Sequence, residues 1–173
     1  MTYKASLDSL AKWTTVLVVV ILISIGVKSI HELLSNTITI GEIAIHSSLL
    51  FIFFSILFFS WLFAPTSYTS TDNSLIIHRT LNDVSINLKD VVSIQQLTTQ
   101  QLKGTIRIVG VSGLFGYFGR FHVPKIGSCT FYATQRKNLI LIETDKKKFI
   151  VTPDNIELAD DLIRSWNGIK SIH

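Results

Sequence analysis

The side chains able to bind metal, attack a substrate or carry a proton are few and poorly spaced. Histidines stand at His31, His46, His78, His122 and His173, with no pair at a metal-sharing spacing, and Cys129 is the lone cysteine. His122 and Cys129 come closest to a base beside a nucleophile. No acid between Asp90 and Glu143 can orient that imidazole, so catalysis there is not expected. Gly113, Gly116 and Gly119 resemble a phosphate loop only in composition. A dinucleotide fingerprint needs a strand before it and a helix after it, whereas both flanks here read as strand. Glycines among aromatics in a β segment mark bulges or close backbone approach. No catalytic, cofactor-binding or metal-binding residue is predicted.

What remains is segregated charge. Val91 to Ile142 contains no Asp or Glu, but it carries Lys103, Arg107, Arg120, Lys125, Arg136 and Lys137 among Phe115, Tyr117, Phe118, Phe121, Phe131 and Tyr132. On one face, these bases would draw the domain toward anionic headgroups, at about 1 kcal/mol per base near the surface. Strand alternation argues for the opposite arrangement, with the six bases spread over two sides. Lys146–Lys148 reads as a solvated turn beside Glu143 and Asp145. The net charge of +4 is modest for a nucleic-acid binder, and a membrane anchor argues further against one.

The anchor is legible in two uncharged apolar runs, Trp13–Val27 and Ile43–Ala64. A helix rises ~1.5 Å per residue and a bilayer core is ~30 Å thick, so roughly 20 residues are needed to span it. The 22 residues of Ile43–Ala64 suffice, and Pro65 biases Ala64 away from helical angles. Trp13–Val27 has only 15 residues, but Lys12 and Lys28 can snorkel their ammonium groups outward. A secretory signal would share its short core and preceding lysines, yet Ser24–Leu34 lacks an A-x-A-like cleavage site and a second run follows. Spans of about 13–30 and 43–64 are therefore expected, joined by a loop over Lys28–Glu42. His46, one turn into the second span, is expected to pack near the interface. Lys4 and Lys12 outside the hairpin against Lys28 in its loop favour cytoplasmic chain ends.

Beyond Pro65 the pattern changes to short β-branched and aromatic runs separated by turn residues. Strands are predicted at Ser74–Arg79, Val84–Leu88, Val91–Leu97, Thr105–Val111, Gly116–Phe121, Cys129–Ala133, Leu139–Thr144 and Lys148–Thr152. Asp145–Lys147 reads as a hairpin turn. Asp154 with Glu157 has capping-box spacing, Leu158, Leu162, Trp166 and Ile169 form an apolar stripe, and Gly168 offers a stop. The expected fold class is α+β: a two-helix transmembrane hairpin over residues 1–65, then an antiparallel β-barrel or sandwich over residues 66–173 capped by one helix. That element order is pleckstrin-homology-like.

Gly113-Leu114-Phe115-Gly116-Tyr117-Phe118-Gly119-Arg120-Phe121 and Phe131-Tyr132-Ala133-Thr134 are the most distinctive stretches. With Arg136-Lys137-Asn138-Leu139 and Phe149-Ile150-Val151-Thr152-Pro153, they resemble the bacterial PH-domain family over roughly Tyr68–Trp166. The resemblance implies a PH-like fold, hydrophobic helices before the domain and an inner-membrane setting. It brings no catalytic motif with it. A non-catalytic module facing the cytoplasm is expected, with the lipid bilayer as one partner. Its further partners are anionic headgroups, a membrane or cytoplasmic protein, or a second copy as part of a larger complex.

Overall fold

A computed structural model describes residues 1–34 and 39–171. The middle of the expected inter-helix loop, 35–38, and His173 lie outside the described residues. Two long helices come first, α1 (Ser9–Leu34) and α2 (Ile40–Phe63), preceded by strand β1 (Thr2–Lys4). Then follow β2 (Pro65–Ser70), β3 (Ser74–Arg79), β4 (Val84–Asn87), β5 (Val91–Leu97) and β6 (Ile106–Ser112). The chain continues through β7 (Tyr117–Val123), β8 (Gly127–Ala133), β9 (Leu139–Thr144), β10 (Lys148–Val151) and helix α3 (Glu157–Lys170).

Both N-terminal helices are long and apolar enough to cross a bilayer. They extend past the apolar runs into the expected loop at both ends. Thr39 explains the start of α2: its hydroxyl accepts from the Glu42 N–H while Glu42 reaches back to the Thr39 N–H, a complete capping box. Ser24, Ser48 and Ser55 donate to the carbonyls four residues earlier, so their hydroxyls bring no unpaired donor into an apolar setting. His46 does more than pack. Its Nδ1 lies 3.3 Å from Ser29 Oγ and 3.7 Å from Glu32 Oε2, tying α2 to α1. At the other end α2 stops at Phe63, and Ala64 is extended as the following proline demands.

The β domain has two sheets, ordered β1-β2-β3-β4 and β5-β9-β10-β8-β7-β6. They are not closed into one barrel, so the sandwich describes them. All pairs are antiparallel except β8 with β10, because β9 crosses over to pair with β5 and β10 returns between β9 and β8. β9 is buried on both faces. Its Ile140 and Ile142 enter a core shared with Tyr68, Leu75, Ile77, Leu88 and α3, while Leu139 and Leu141 enter a second core with Phe121, Val123 and Phe131. That two-sided burial accounts for the unbroken Leu-Ile-Leu-Ile run.

Helix α3 differs from expectation at both ends. Asp154 does not cap it, because its carboxylate accepts from the backbone N–H and the hydroxyl of Ser6 at 2.8 and 2.5 Å. Asn155 takes over the N-terminal donor, accepting from the Glu157 N–H at 3.0 Å. Gly168 does not end the helix, which runs on to Lys170. The apolar stripe docks as read: Leu158 and Leu162 are fully buried and Trp166 Nε1 donates to the Val91 carbonyl at 2.9 Å.

Strands β1 and β2 have no counterpart in the sequence reading, and they pair with each other. Thr2, Tyr3 and Lys4 pair with Thr69, Tyr68 and Ser67 of β2, so residues on either side of the helical hairpin share one sheet. Tyr3 is 9% exposed, joins the core and donates its hydroxyl to Asp161 of α3. Tyr3→Ala is expected to cost about 3 kcal/mol and Tyr3→Phe about 1 kcal/mol, measured by denaturant unfolding in detergent. Equal, negligible losses would mean that β1 is not held in the folded domain.

Candidate functional site

The junction between the helical hairpin and the larger sheet concentrates the polar and apolar features of the molecule. Asp8 is its hub. Placed one residue before α1, it caps the helix by accepting from the Ala11 N–H at 2.8 Å. The same carboxylate accepts from Tyr117 Oη at 3.2 Å and pairs with Arg136 Nε at 3.2 Å, while its own N–H donates to the Thr134 carbonyl. Arg136 also lies over the Tyr117 ring, 5.9 Å from its centroid. Burial and the Asp8 charge push the Tyr117 phenol up to about 12. Two turns along α1 from Asp8, Thr15 Oγ1 accepts from the Phe115 N–H in the β6–β7 turn. The foot of α1 is thereby fastened to β7, β8 and their loops.

Helix α2 faces the same sheet across a groove of about 670 Å³. Its helix wall is one stripe, including Ile52, Ile56, Phe59 and Phe63; its floor includes Val111, Phe118, Thr130 and Tyr132. The floor is bare where Gly110 pairs with Gly119. Both have positive φ, and a Cβ on either would meet the partner strand's backbone at 2.2 to 2.4 Å. Only glycine fits there. Arg79 enters this apolar wall from β3, its guanidinium 5.5 Å from the Phe63 ring centroid and 5.7 Å from that of Tyr132.

The six segregated bases are all exposed, and the fold divides them. Arg107 and Arg136 line one cleft with Tyr117 and Phe121, and Lys137 follows Arg136 in its loop. Lys103 and Lys125 sit in turns that meet at the opposite end of the strands, where Gly104 approaches Pro124. Arg120 pairs in register with Thr130 and so lies on the groove face, away from Arg107. A bulge between Arg107 and Val109 also breaks the simple alternation expected along β6. It leaves Ile106 and Val109 on the groove face, opposite His122 and Arg120, and both are more than half exposed.

His122 and Cys129 do not meet. Cys129 pairs with Phe121 and is buried in the second core, where burial pushes its thiol up, whereas exposed His122 points to the other face. Among the described residues, no group of three or more His, Cys, Asp or Glu side chains is placed to hold a metal ion. Asp8 and Arg79 were not singled out from sequence. Asp8 had a usable signal, an Asp directly before a helical run; Arg79 had none, since its neighbours come from distant segments.

The sequence profile of the bacterial PH domain matches residues 66–165, more than half of the chain. The chain belongs to that family. No curated protein matches it, and no solved structure does. The PH domain here is thus one whose open sheet face is flanked by two apolar helices, with Asp8 as the bolt between them.

Asp8→Asn tests that bolt. Removing the negative charge makes the Tyr117 phenolate less unfavourable, so its pKa is expected to fall from about 12 toward 10 without reaching it, because burial remains. Phenolate absorbance in a pH titration reads the shift; an unchanged Tyr117 would contradict the contact.

Proposed function

We propose that the protein is an integral membrane protein whose helical hairpin spans a bacterial inner membrane and holds a non-catalytic PH domain against its cytoplasmic face. The observation that carries this reading is the strand pairing of β1 with β2 around two bilayer-length helices. Whatever membrane the hairpin crosses, chain start and domain lie on one side of it. Lys4 and Lys12 beside the hairpin feet, against Lys28 near its turn, favour the cytoplasmic side.

The domain acts as a binding module at the membrane surface. Support comes from its apolar groove face, which runs from α2 across Phe118 to the exposed side chains of Ile106 and Val109. Contacts of the six bases with anionic headgroups belong to this reading, with Arg120 on the groove face and Lys103 and Lys125 at a separate corner. A second reading, self-association, is favoured by β6 itself: it is an edge strand, and it exposes Ile106, Ile108 and Val109.

Membranes from cells expressing the full chain, washed in alkaline carbonate, are expected to retain it, and reporters at both termini are expected to report the cytoplasm. Release into the soluble fraction, or reporters on opposite sides, would refute the anchor. Crosslinking in the same membranes separates the two readings of β6: a dimer trapped through Ile108→Cys supports self-association.

A further inference from the structure

We propose that the groove between α2 and the β6-β7-β8 face holds one anionic phospholipid, an acyl chain along the groove and the phosphate at Arg79. The inference rests on the membrane reading above and deepens it by naming a ligand.

The groove wall on α2 runs from Phe51 to Phe63, 12 steps along the helix and therefore about 18 Å. That matches the depth of one leaflet, roughly half of a ~30 Å hydrocarbon core. Its lining is almost wholly apolar, and Ser55, one of its few hydroxyls, is already bonded to the Phe51 carbonyl. Water gains little there, whereas an acyl chain from the surrounding leaflet gains contact on two sides. Because Gly110 and Gly119 cannot carry side chains, the floor stays open by backbone necessity.

Arg79 sets the head end, since it stacks on Phe63, where α2 leaves the apolar layer. Its Nε donates to the Asn82 carbonyl at 2.7 Å, which fixes the guanidinium plane. The nearby acid is taken, because Asp83 pairs with His78 at 2.7 Å. Its other oxygen accepts from the Arg79 backbone N–H at 3.3 Å, so among the described residues the Arg79 guanidinium has no carboxylate partner and neither terminal nitrogen has a protein acceptor. A charge held between two aromatic rings beside an apolar slot complements a phosphate attached to a hydrocarbon tail. Zwitterionic lipid would fit the slot and satisfy the cation less well.

The test is native mass spectrometry of the full chain released from detergent after reconstitution with dioleoyl phosphatidylglycerol or dioleoyl phosphatidylcholine. The intact chain is expected to keep a single phosphatidylglycerol in preference to phosphatidylcholine. Arg79→Gln is expected to lower that preference about tenfold, the scale of one charge-assisted hydrogen bond. Ile56→Trp, which fills the slot from the helix side, is expected to reduce retention of both lipids, with Thr130→Trp doing so from the floor. Retention unchanged in both filling variants would mean ordinary surrounding lipid and would overturn the site, as would an Arg79→Gln chain with its preference intact. A carbonate-resistant chain that keeps no lipid defeats the groove alone. A chain lost in the carbonate wash defeats the anchor beneath it.

Discussion

The antiparallel ladder between β1 and β2 is the constraint on which the architecture depends. One strand precedes the helical hairpin and the other follows it, so the sheet closes the loop that the hairpin opens. The ladder is reinforced beyond its own residues: Ala5 N–H donates to the Thr66 carbonyl, Ser70 N–H to that of Met1, and the terminal ammonium to Ser70 at 2.7 Å. Paired strands lie ~4.8 Å apart and packed helices 8–10 Å apart, so the chain must splay between ladder and hairpin. Residues 5–8 and Ala64 make that adjustment, and nearly every polar group in the splay is engaged. Ser6 bonds to Asp154, and Asp8 to Tyr117, Arg136 and Thr134.

From that clamp follows the position of the domain. With both hairpin feet in the four-stranded sheet and α1 bolted to the six-stranded one, the β6-β7-β8 face turns toward α2 and cannot swing away without breaking Asp8's contacts. The two cores divide the work. The first joins the smaller sheet, β9 and α3, and the Tyr68 hydroxyl crosses it to the Tyr132 carbonyl at 2.6 Å. The second fills the curled half of the larger sheet around Phe121 and Phe131, whose rings meet at a 31° tilt with centroids 4.5 Å apart. What neither core fills is the groove against α2, and that vacancy is where the helices and the domain present a joint surface.

Much of this fold was readable from sequence where the signal is local. β3, β5 and β9 fall on the predicted bounds because runs of β-branched and apolar residues between turn residues delimit them, and the Asp145–Lys147 turn closes as read. β1 was invisible for a physical reason. Thr-Tyr-Lys is too short to show a period, and its partner lies more than sixty residues away across the hairpin. The α3 cap was misread because Ser6, another distant residue, competes for the Asp154 carboxylate. The site was less legible still. The basic residues cluster in sequence but separate in space, since β6 and β7 expose them on alternate faces and at opposite ends. The groove needs a helix stripe, a glycine pair and Arg79 from three segments, and no linear pattern announces that meeting.

The clamp itself is open to one direct measurement. Thr2 and Thr69 are register partners whose hydroxyls lie 2.9 Å apart, and the native Cys129 is buried out of reach. Thr2→Cys with Thr69→Cys, oxidised mildly in intact membranes, is expected to form an intramolecular disulfide in nearly every chain. A pair that stays reduced would mean that the strand before the hairpin is not held by the strand after it.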